Sequence, residues 1–167
     1  TSNEPAWLPE LRAVAAMVRF YAPARPAPQH ALEVNFDNRL KLRGYSLEPE
    51  LLSPGTETQA NLSLYWQVLT PLEKDYSVFV HLRDAGGKVV GHLDFQPYDA
   101  IYPTSYWPVG AELREARPLA LPQELPPGQY TLVIGLYLPD DLSRLRIVED
   151  TGGENADTLG MLTIQGS

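Results

Sequence analysis

The feature that most constrains the fold is a strict alternation of apolar and polar residues, which recurs in short segments over most of the chain. The segment NLSLYWQVL, residues 61–69, is the clearest case, because every second residue from Leu62 to Val68 is apolar. Successive side chains of a β-strand point to opposite faces, so this pattern predicts a half-buried strand with Trp66 in the core. Around Phe79 both faces are apolar, which predicts a strand covered on both sides.

Stretches rich in proline, glycine, asparagine and aspartate separate these segments, and such stretches favour tight turns. About eight short strands with no helical pattern between them predict an all-β fold, an antiparallel β-sandwich of immunoglobulin-like or jelly-roll-like type. Gly44 marks a bulge, because the apolar parity changes there, and Pro118 marks an edge strand or a bulged one. The predicted strands lie in LKLRGYSL, NLSLYWQVL, YSVFVHL and QYTLVIGLYL and in residues 89–95, 113–121, 145–148 and 159–164.

Residues 1–30 differ in pattern from the sandwich predicted for residues 31–167. Trp7–Ala22 carries an apolar stripe with helical spacing, and a tether rich in proline and alanine follows at Ala22–Gln29. Two interpretations stay open: a short helix packed on the domain, or a connector next to a membrane. The chain begins at Thr1 without an initiator methionine or a signal peptide, which indicates a piece of a longer protein.

The composition excludes several classes of function. A formal net charge of −8 disfavours binding to nucleic acid and to anionic membranes, because both need clustered lysine and arginine. The absence of cysteine removes disulfides, cysteine-based metal sites and thiol nucleophiles. We therefore predict no nucleic-acid partner and no peripheral membrane binding.

No residue pattern typical of an enzyme occurs in the sequence, which lacks a G-x-S-x-G elbow and a phosphate-binding glycine loop. The turn DAGG makes His81 and His92 neighbours in a predicted hairpin, with Asp94 as the nearest third ligand for a metal. The ordinary alternative is a pair of half-buried, hydrogen-bonded histidines. The acidic residues between Pro139 and Asp157 lack the spacing of a calcium loop, which favours solvated turns. We predict no catalytic residue, no metal and no cofactor.

The segment YDAIYPTSYWPVG, Tyr98–Gly110, combines four aromatic residues with two prolines. Flat rings on a loop stiffened by proline suit stacking on a sugar face, with Tyr102, Tyr106 and Trp107 as the stacking residues. The same rings can instead close one end of the sandwich, with Trp107 as a plug and Tyr102 and Tyr106 left free for a ligand. Both interpretations stay open at the level of the sequence.

Several motifs in order resemble a known family. These motifs are LRGY, LYW, VFVHL, YPTSYWPVG and PPGQY followed by GLY, and the resemblance spans Val34–Ile164. The family consists of bacterial C-terminal β-sandwich domains that follow the membrane-spanning part of polytopic glycosyltransferases related to protein O-mannosyltransferases, and that also occur in related surface proteins. The segment VRFYAPARPAP is similar to the stretch after the last membrane helix of such enzymes. One departure is Tyr106, where relatives often carry a basic residue before the tryptophan.

The resemblance implies a non-catalytic accessory domain, outside the cytoplasm and tethered to a membrane in the full-length protein, whose partners are a carbohydrate and the parent membrane domain. It carries no catalytic residue, because glycosyl transfer in that family belongs to membrane loops. The alternative function is a structural or protein-interaction module that docks on its parent and has no ligand of its own. The candidate ligand-binding residues are Tyr102, Tyr106 and Trp107 for stacking, with His92, Asp94 and Asp99 as hydroxyl-binding neighbours.

Overall fold

The computed structural model describes residues 27–53, 59–150 and 152–166, so the predicted helix at Trp7–Ala22 and most of the tether lie outside the described residues. No helix of the described part is long and apolar enough to cross a membrane. Nine strands occur in these ranges. They are β1 (His30–Phe36), β2 (Leu40–Glu48), β3 (Leu51–Leu52), β4 (Gln59–Val68), β5 (Ser77–Arg83), β6 (Val89–Phe95), β7 (Glu112–Ala120), β8 (Gly128–Tyr137) and β9 (Asp157–Ile164).

The strands form two sheets, a four-stranded sheet in the order β1-β2-β4-β7 and a five-stranded sheet in the order β3-β9-β8-β5-β6. Neighbouring strands are antiparallel, except that β3 runs parallel to β9 over two residue pairs. The predicted all-β sandwich is therefore confirmed. Its element list differs at three places: β1 and β3 were not among the predicted strands, and Leu145–Val148 forms only an isolated bridge, between Phe36 and Ile147.

The core fills the space between the two sheets with the inward faces predicted from the alternation. Trp66 is 1% exposed and packs against Phe36 of β1, with their ring centroids 6.0 Å apart. The predicted bulge at Gly44 is present as a register shift between β2 and β4, and Pro118 lies on the edge strand β7. These local features thus set which side chains of the four-stranded sheet face inward.

The outer face of the five-stranded sheet is partly covered, as the apolar residues around Phe79 predict. Phe79 is 3% exposed and lies opposite Gly135 of β8, where an added Cβ would stand 2.2 Å from the phenyl ring. Arg144, from the segment that follows β8, lies 4.5 Å above the same ring. That segment therefore covers the middle of this sheet, while the outer face of the four-stranded sheet is open to a groove described below.

Candidate functional site

The crossover loop, residues 96–111, joins the edge strand β6 of one sheet to the edge strand β7 of the other. It carries the aromatic residues singled out in the sequence. Tyr98, Tyr102 and Trp107 form one cluster with centroid separations of 5.8, 6.0 and 6.4 Å and interplanar angles of 55°, 77° and 43°. Rings inclined in this way pack on each other and on the core, and they do not make a flat platform.

Trp107 is 3% exposed, and its indole N–H donates to the carbonyl oxygen of Tyr102 at 2.9 Å. This burial is what the plug interpretation predicts, and it removes Trp107 from the residues that can stack on a ligand at the surface. The buried Thr104 fixes the same end of the loop, because its hydroxyl donates to the carbonyl oxygen of Lys74 and accepts the backbone N–H of Tyr76. Thr104 and Trp107 thus anchor the second half of the crossover loop to the core, while Tyr106 and Val109 stay exposed.

The first half of the crossover loop contains a left-handed turn. Tyr98, Asp99 and Ala100 have φ values of 51°, 55° and 61°, a region that residues with a Cβ rarely adopt. Each such residue costs on the order of 1–2 kcal/mol relative to a right-handed conformation. A turn of this kind persists only where surrounding contacts hold it, and β7 supplies those contacts.

Glu115 and Arg117 of β7 hold the turn from the inside. Glu115 is 3% exposed, and its Oε1 accepts the backbone N–H of Tyr98 at 2.7 Å and the Arg117 guanidinium at 2.8 and 3.0 Å. Arg117 also donates to the carbonyl oxygen of Gln96 at 3.2 Å and to Asp99 at 2.5 Å. Its guanidinium lies 4.9 Å above the ring of Phe95 in β6. One buried ion pair therefore connects both edge strands and the loop between them.

Burial is the largest influence on the pKa of Glu115 and raises it above the ordinary value, outweighing the hydrogen bonds from Tyr98 and Arg117, which lower it. The second carboxylate oxygen, Oε2, is buried without a hydrogen-bond partner in the described part of the chain. An ionised carboxylate with one oxygen left unsatisfied is costly, which agrees with the raised pKa.

The raised pKa predicts a pH-dependent stability that Glu115→Gln abolishes. A carboxyl group with a higher pKa in the folded than in the unfolded protein stabilises the fold fully below the unfolded pKa and loses this contribution as the pH rises through the folded pKa. We expect the free energy of unfolding of the wild type, relative to Glu115→Gln, to fall as the pH rises above about 4.5 and then to level off. Urea titrations of both proteins between about pH 4 and pH 8 measure this difference, and parallel pH profiles would contradict it.

The structure places the remaining predicted ligand-binding residues in different environments. His92 and Asp94 are exposed on the outer face of β6, Tyr106 is 71% exposed on the crossover loop, and Asp99 is engaged by Arg117. Tyr102 packs inside the aromatic cluster. The crossover loop is thus anchored to the core with Tyr106 as its exposed ring, and a binding role for these residues stays a prediction.

The predicted histidine pair is confirmed as a cross-strand pair, because His81 of β5 lies directly opposite His92 of β6. Burial lowers the pKa of His81, outweighing Asp94, which raises it. No group of three or more potential ligands for a metal ion occurs in the residues that the structure describes. The carboxylate of Asp150 accepts the backbone N–H groups of Gly152, Gly153 and Asn155, and these bonds lower its pKa. Its oxygens thus stabilise the turn itself.

A concave surface is found instead on the outer face of the four-stranded sheet. We call it the outer groove; it measures about 430 Å³, within the range of small-ligand sites. Three cross-strand rows of β2, β4 and β7 form its floor. The rows are Gly44–Tyr65–Arg114, Ser46–Ser63–Ala116 and Glu48–Asn61–Pro118. Ala27 and Gln29 line one wall.

The polar groups of the outer groove are held by one another. The Arg114 guanidinium donates to Oγ of Ser63 at 2.9 Å and lies 5.8 Å from the centroid of the Tyr65 ring. Gln29 donates its side-chain N–H to Glu48 at 2.8 Å and its backbone N–H to Ser46 at 3.0 Å. The groove thus presents one aromatic ring, a guanidinium, hydroxyls and amides in fixed positions.

A second hollow of about 340 Å³ adjoins the outer groove and shares Ala27, Tyr65 and Arg114 with it. Pro28 packs there directly over Gly44, where an added Cβ would lie 2.7 Å from its ring atoms. The chain before β1 therefore crosses the sheet between the two hollows, and only glycine at position 44 leaves room for it. Tyr65 and Arg114 stand at the junction.

Sequence reasoning missed the outer groove, although part of the signal was visible. The alternation in β4 put Ser63, Tyr65 and Gln67 together on the face opposite the core. What the sequence did not provide was the neighbour of β4, and therefore the position of Arg114 beside Tyr65. The ion pair of Glu115 and Arg117, two residues apart in β7, was also missed, because the sequence did not show that the crossover loop folds over Glu115.

No protein-family model matches the chain, and no curated protein matches it in sequence. Several solved structures are similar in fold. The C-terminal domain of Wzt shares 12% identity at a TM-score of 0.49, over 84% of this chain and 83% of that one. A CARDB domain from Pyrococcus furiosus, in complex with di-metal ions, shares 10% identity at a TM-score of 0.42. The match covers 78% of this chain and 97% of that domain. A beta-glucosidase from Listeria innocua, in complex with glucose, shares 13% identity at a TM-score of 0.43. The match covers 77% of this chain and 16% of the glucosidase. These values concern the β-sandwich alone; the glycosyltransferase-associated family suggested by the motifs stays a prediction.

Proposed function

We propose that this chain is a non-catalytic accessory domain that binds an oligosaccharide in the outer groove. The observation that carries the proposal is the arrangement of Tyr65 and Arg114 beside the serine and asparagine side chains of the same groove. A sugar ring has apolar C–H faces and a rim of hydroxyls, so it is recognised by an aromatic face together with converging donors and acceptors. We assign these residues a binding role and no reaction.

The proposed setting is the extracytoplasmic side of a membrane, as a domain attached to a glycosyltransferase. Its support is the order of motifs over Val34–Ile164 and the proline-rich segment before β1. In this setting the outer groove holds or positions a glycan or a glycosylated acceptor for the parent enzyme. The groove faces away from the sandwich core, so a chain longer than the groove has room to extend beyond it.

Binding to the outer groove predicts that Tyr65→Ala weakens glycan affinity about ten-fold or more, because the stacking surface is lost. The measurement is a titration of the 167-residue chain with oligosaccharides that a glycan array identifies, followed by calorimetry. Tyr65→Phe keeps the ring and is expected to retain most of the affinity. Tyr65 is only half-buried, so thermal melting of the alanine variant serves as a check on folding.

The matched control is Tyr106→Ala, since Tyr106 is the exposed tyrosine of the crossover loop. Its affinity should stay within about two-fold of the wild type if the groove is the site. The reverse result, in which Tyr106→Ala loses binding and Tyr65→Ala keeps it, would assign the ligand to the loop. Absence of binding by any array glycan at millimolar concentration would overturn the proposal.

A second candidate function is docking on the parent membrane domain without a ligand. The observation that favours it is a group of exposed apolar residues on the crossover loop, where Ile101 is 86% exposed, Tyr106 71% and Val109 57%. Exposed apolar side chains that cluster on one loop are typical of interaction surfaces. The docking function is supported if no oligosaccharide binds in the titration described above.

A further inference from the structure

We infer that the ligand of the outer groove is an acidic glycan, whose carboxylate or phosphate group is bound by Arg114; this rests on the proposed function. The starting observation concerns ion pairs. Of the seven arginines in the described ranges, five have a carboxylate within 4.0 Å. The other two are Arg144, which lies over the ring of Phe79, and Arg114 in the outer groove. The five are Arg39, Arg43, Arg83, Arg117 and Arg146. In a chain with a net charge of −8, a guanidinium left without a carboxylate at a groove is available to an outside anion.

The geometry of Arg114 suits such an anion. A guanidinium has five N–H donors in a planar fork, and the one observed hydrogen bond, to Ser63, leaves the rest for a ligand. Contact with Ser63 on one side and Tyr65 on the other limits the rotation of the side chain. A pre-oriented fork binds the two oxygens of a carboxylate or a phosphate at once, and such bonds are stronger than those between neutral groups.

The acidic side chains that the structure describes near the groove do not form an ion pair with the Arg114 guanidinium. Glu48 occupies the opposite end of the groove, four residues away along the aligned strands, or about 13 Å, which exceeds the screening length of about 8 Å at physiological salt. Its carboxylate is held by Gln29 and can accept bonds from sugar hydroxyls. Glu112 lines the adjacent hollow together with Arg114, and it is not among the residues that line the outer groove. The charges thus define a polarity, with the anionic group of the ligand at Arg114 and neutral hydroxyls at Glu48.

The test compares matched glycans on the 167-residue chain: neutral oligosaccharides, the same oligosaccharides with a hexuronic acid, and the same with a sugar phosphate. We expect the wild type to bind at least one acidic series about ten-fold more tightly than its neutral counterpart, with a preference that weakens as salt increases. Arg114→Gln should weaken the binding of acidic glycans more than that of neutral glycans, so that the preference falls to within about two-fold. The uronic acid and phosphate arms identify which anion is preferred.

Two variants serve as controls. Arg43→Gln removes another arginine of the same sheet face, one that is paired with Glu33, and should keep the preference. Arg114→Lys keeps the charge but loses the fork, and should fall between wild type and Arg114→Gln. Binding of neutral glycans with no acidic preference, or a preference that survives Arg114→Gln, would overturn this inference and leave the proposed function standing. Absence of all glycan binding would overturn both.

Discussion

Replacement of Trp107 by alanine is expected to lower the free energy of unfolding by about 3–5 kcal/mol. The indole is 3% exposed, packs against Tyr98 and Tyr102, and donates a hydrogen bond to the carbonyl oxygen of Tyr102. Alanine leaves a cavity between the sheets and leaves that carbonyl without its donor. Urea unfolding followed by circular dichroism gives the change, which corresponds to a fall in melting temperature of roughly 10 °C.

Tyr106→Ala provides a control from the neighbouring position of the same loop. Tyr106 is 71% exposed, so its loss should change the free energy of unfolding by less than about 0.5 kcal/mol. The contrast between adjacent residues separates a structural plug from a binding platform. A Trp107→Ala variant with wild-type stability would show that the ring does not contribute to the core, and would reopen the loop as a ligand site.

Arg117→Ala is expected to destabilise the domain by roughly 3 kcal/mol, because it leaves Glu115 buried without its partner. Glu115 is 3% exposed and the Arg117 side chain 16%, so solvent screens the pair weakly. The substitution also removes the bonds to Asp99 and Gln96 that hold the left-handed turn. Chemical denaturation near pH 7 measures the loss, which should shrink as the pH falls and Glu115 takes up a proton.

The double variant Arg117→Ala with Glu115→Gln tests the mechanism of that loss. A neutral glutamine has no uncompensated charge, so the double variant should be more stable than Arg117→Ala alone, with a coupling energy of about 1 kcal/mol or more. Arg146→Ala is the surface control: its ion pair with Asp37 is long, at 3.6 Å, and exposed, and should contribute less than about 1 kcal/mol. Equal losses for Arg117→Ala and Arg146→Ala would contradict the assigned role of the buried pair.

Alternation in the sequence predicted the sandwich and its interior well, because burial of one strand face depends on residues that are adjacent in the chain. Trp66 in the core, the bulge at Gly44, the covered strand at Phe79 and the edge position of Pro118 are all present. Short elements were harder to predict. The two-residue strand β3 pairs with β9, more than a hundred residues away, and such pairing has no local signal.

The candidate site could not be predicted, because it depends on the register between strands. Tyr65 and Arg114 meet only because β4 pairs with β7, and these strands are almost fifty residues apart in the chain. Composition drew attention to the crossover loop instead, where aromatic residues are dense. Density of rings does not reveal their orientation, and Thr104 and Glu115 turn this loop inward. Polar residues dispersed over three strands therefore form the groove that the local pattern did not show.

The contacts between the crossover loop and β7 also bear on how the domain behaves when many copies are crowded together. A strand at the edge of a sheet offers unpaired main-chain groups on which another chain can add a strand. In β7 the carbonyl oxygen of Arg114 accepts a hydrogen bond from the hydroxyl of Tyr98 at 2.9 Å, and Pro118 has no backbone N–H to donate. At these two positions β7 therefore offers neither the Arg114 acceptor nor a donor at Pro118, which disfavours the addition of a strand from a second copy at this edge.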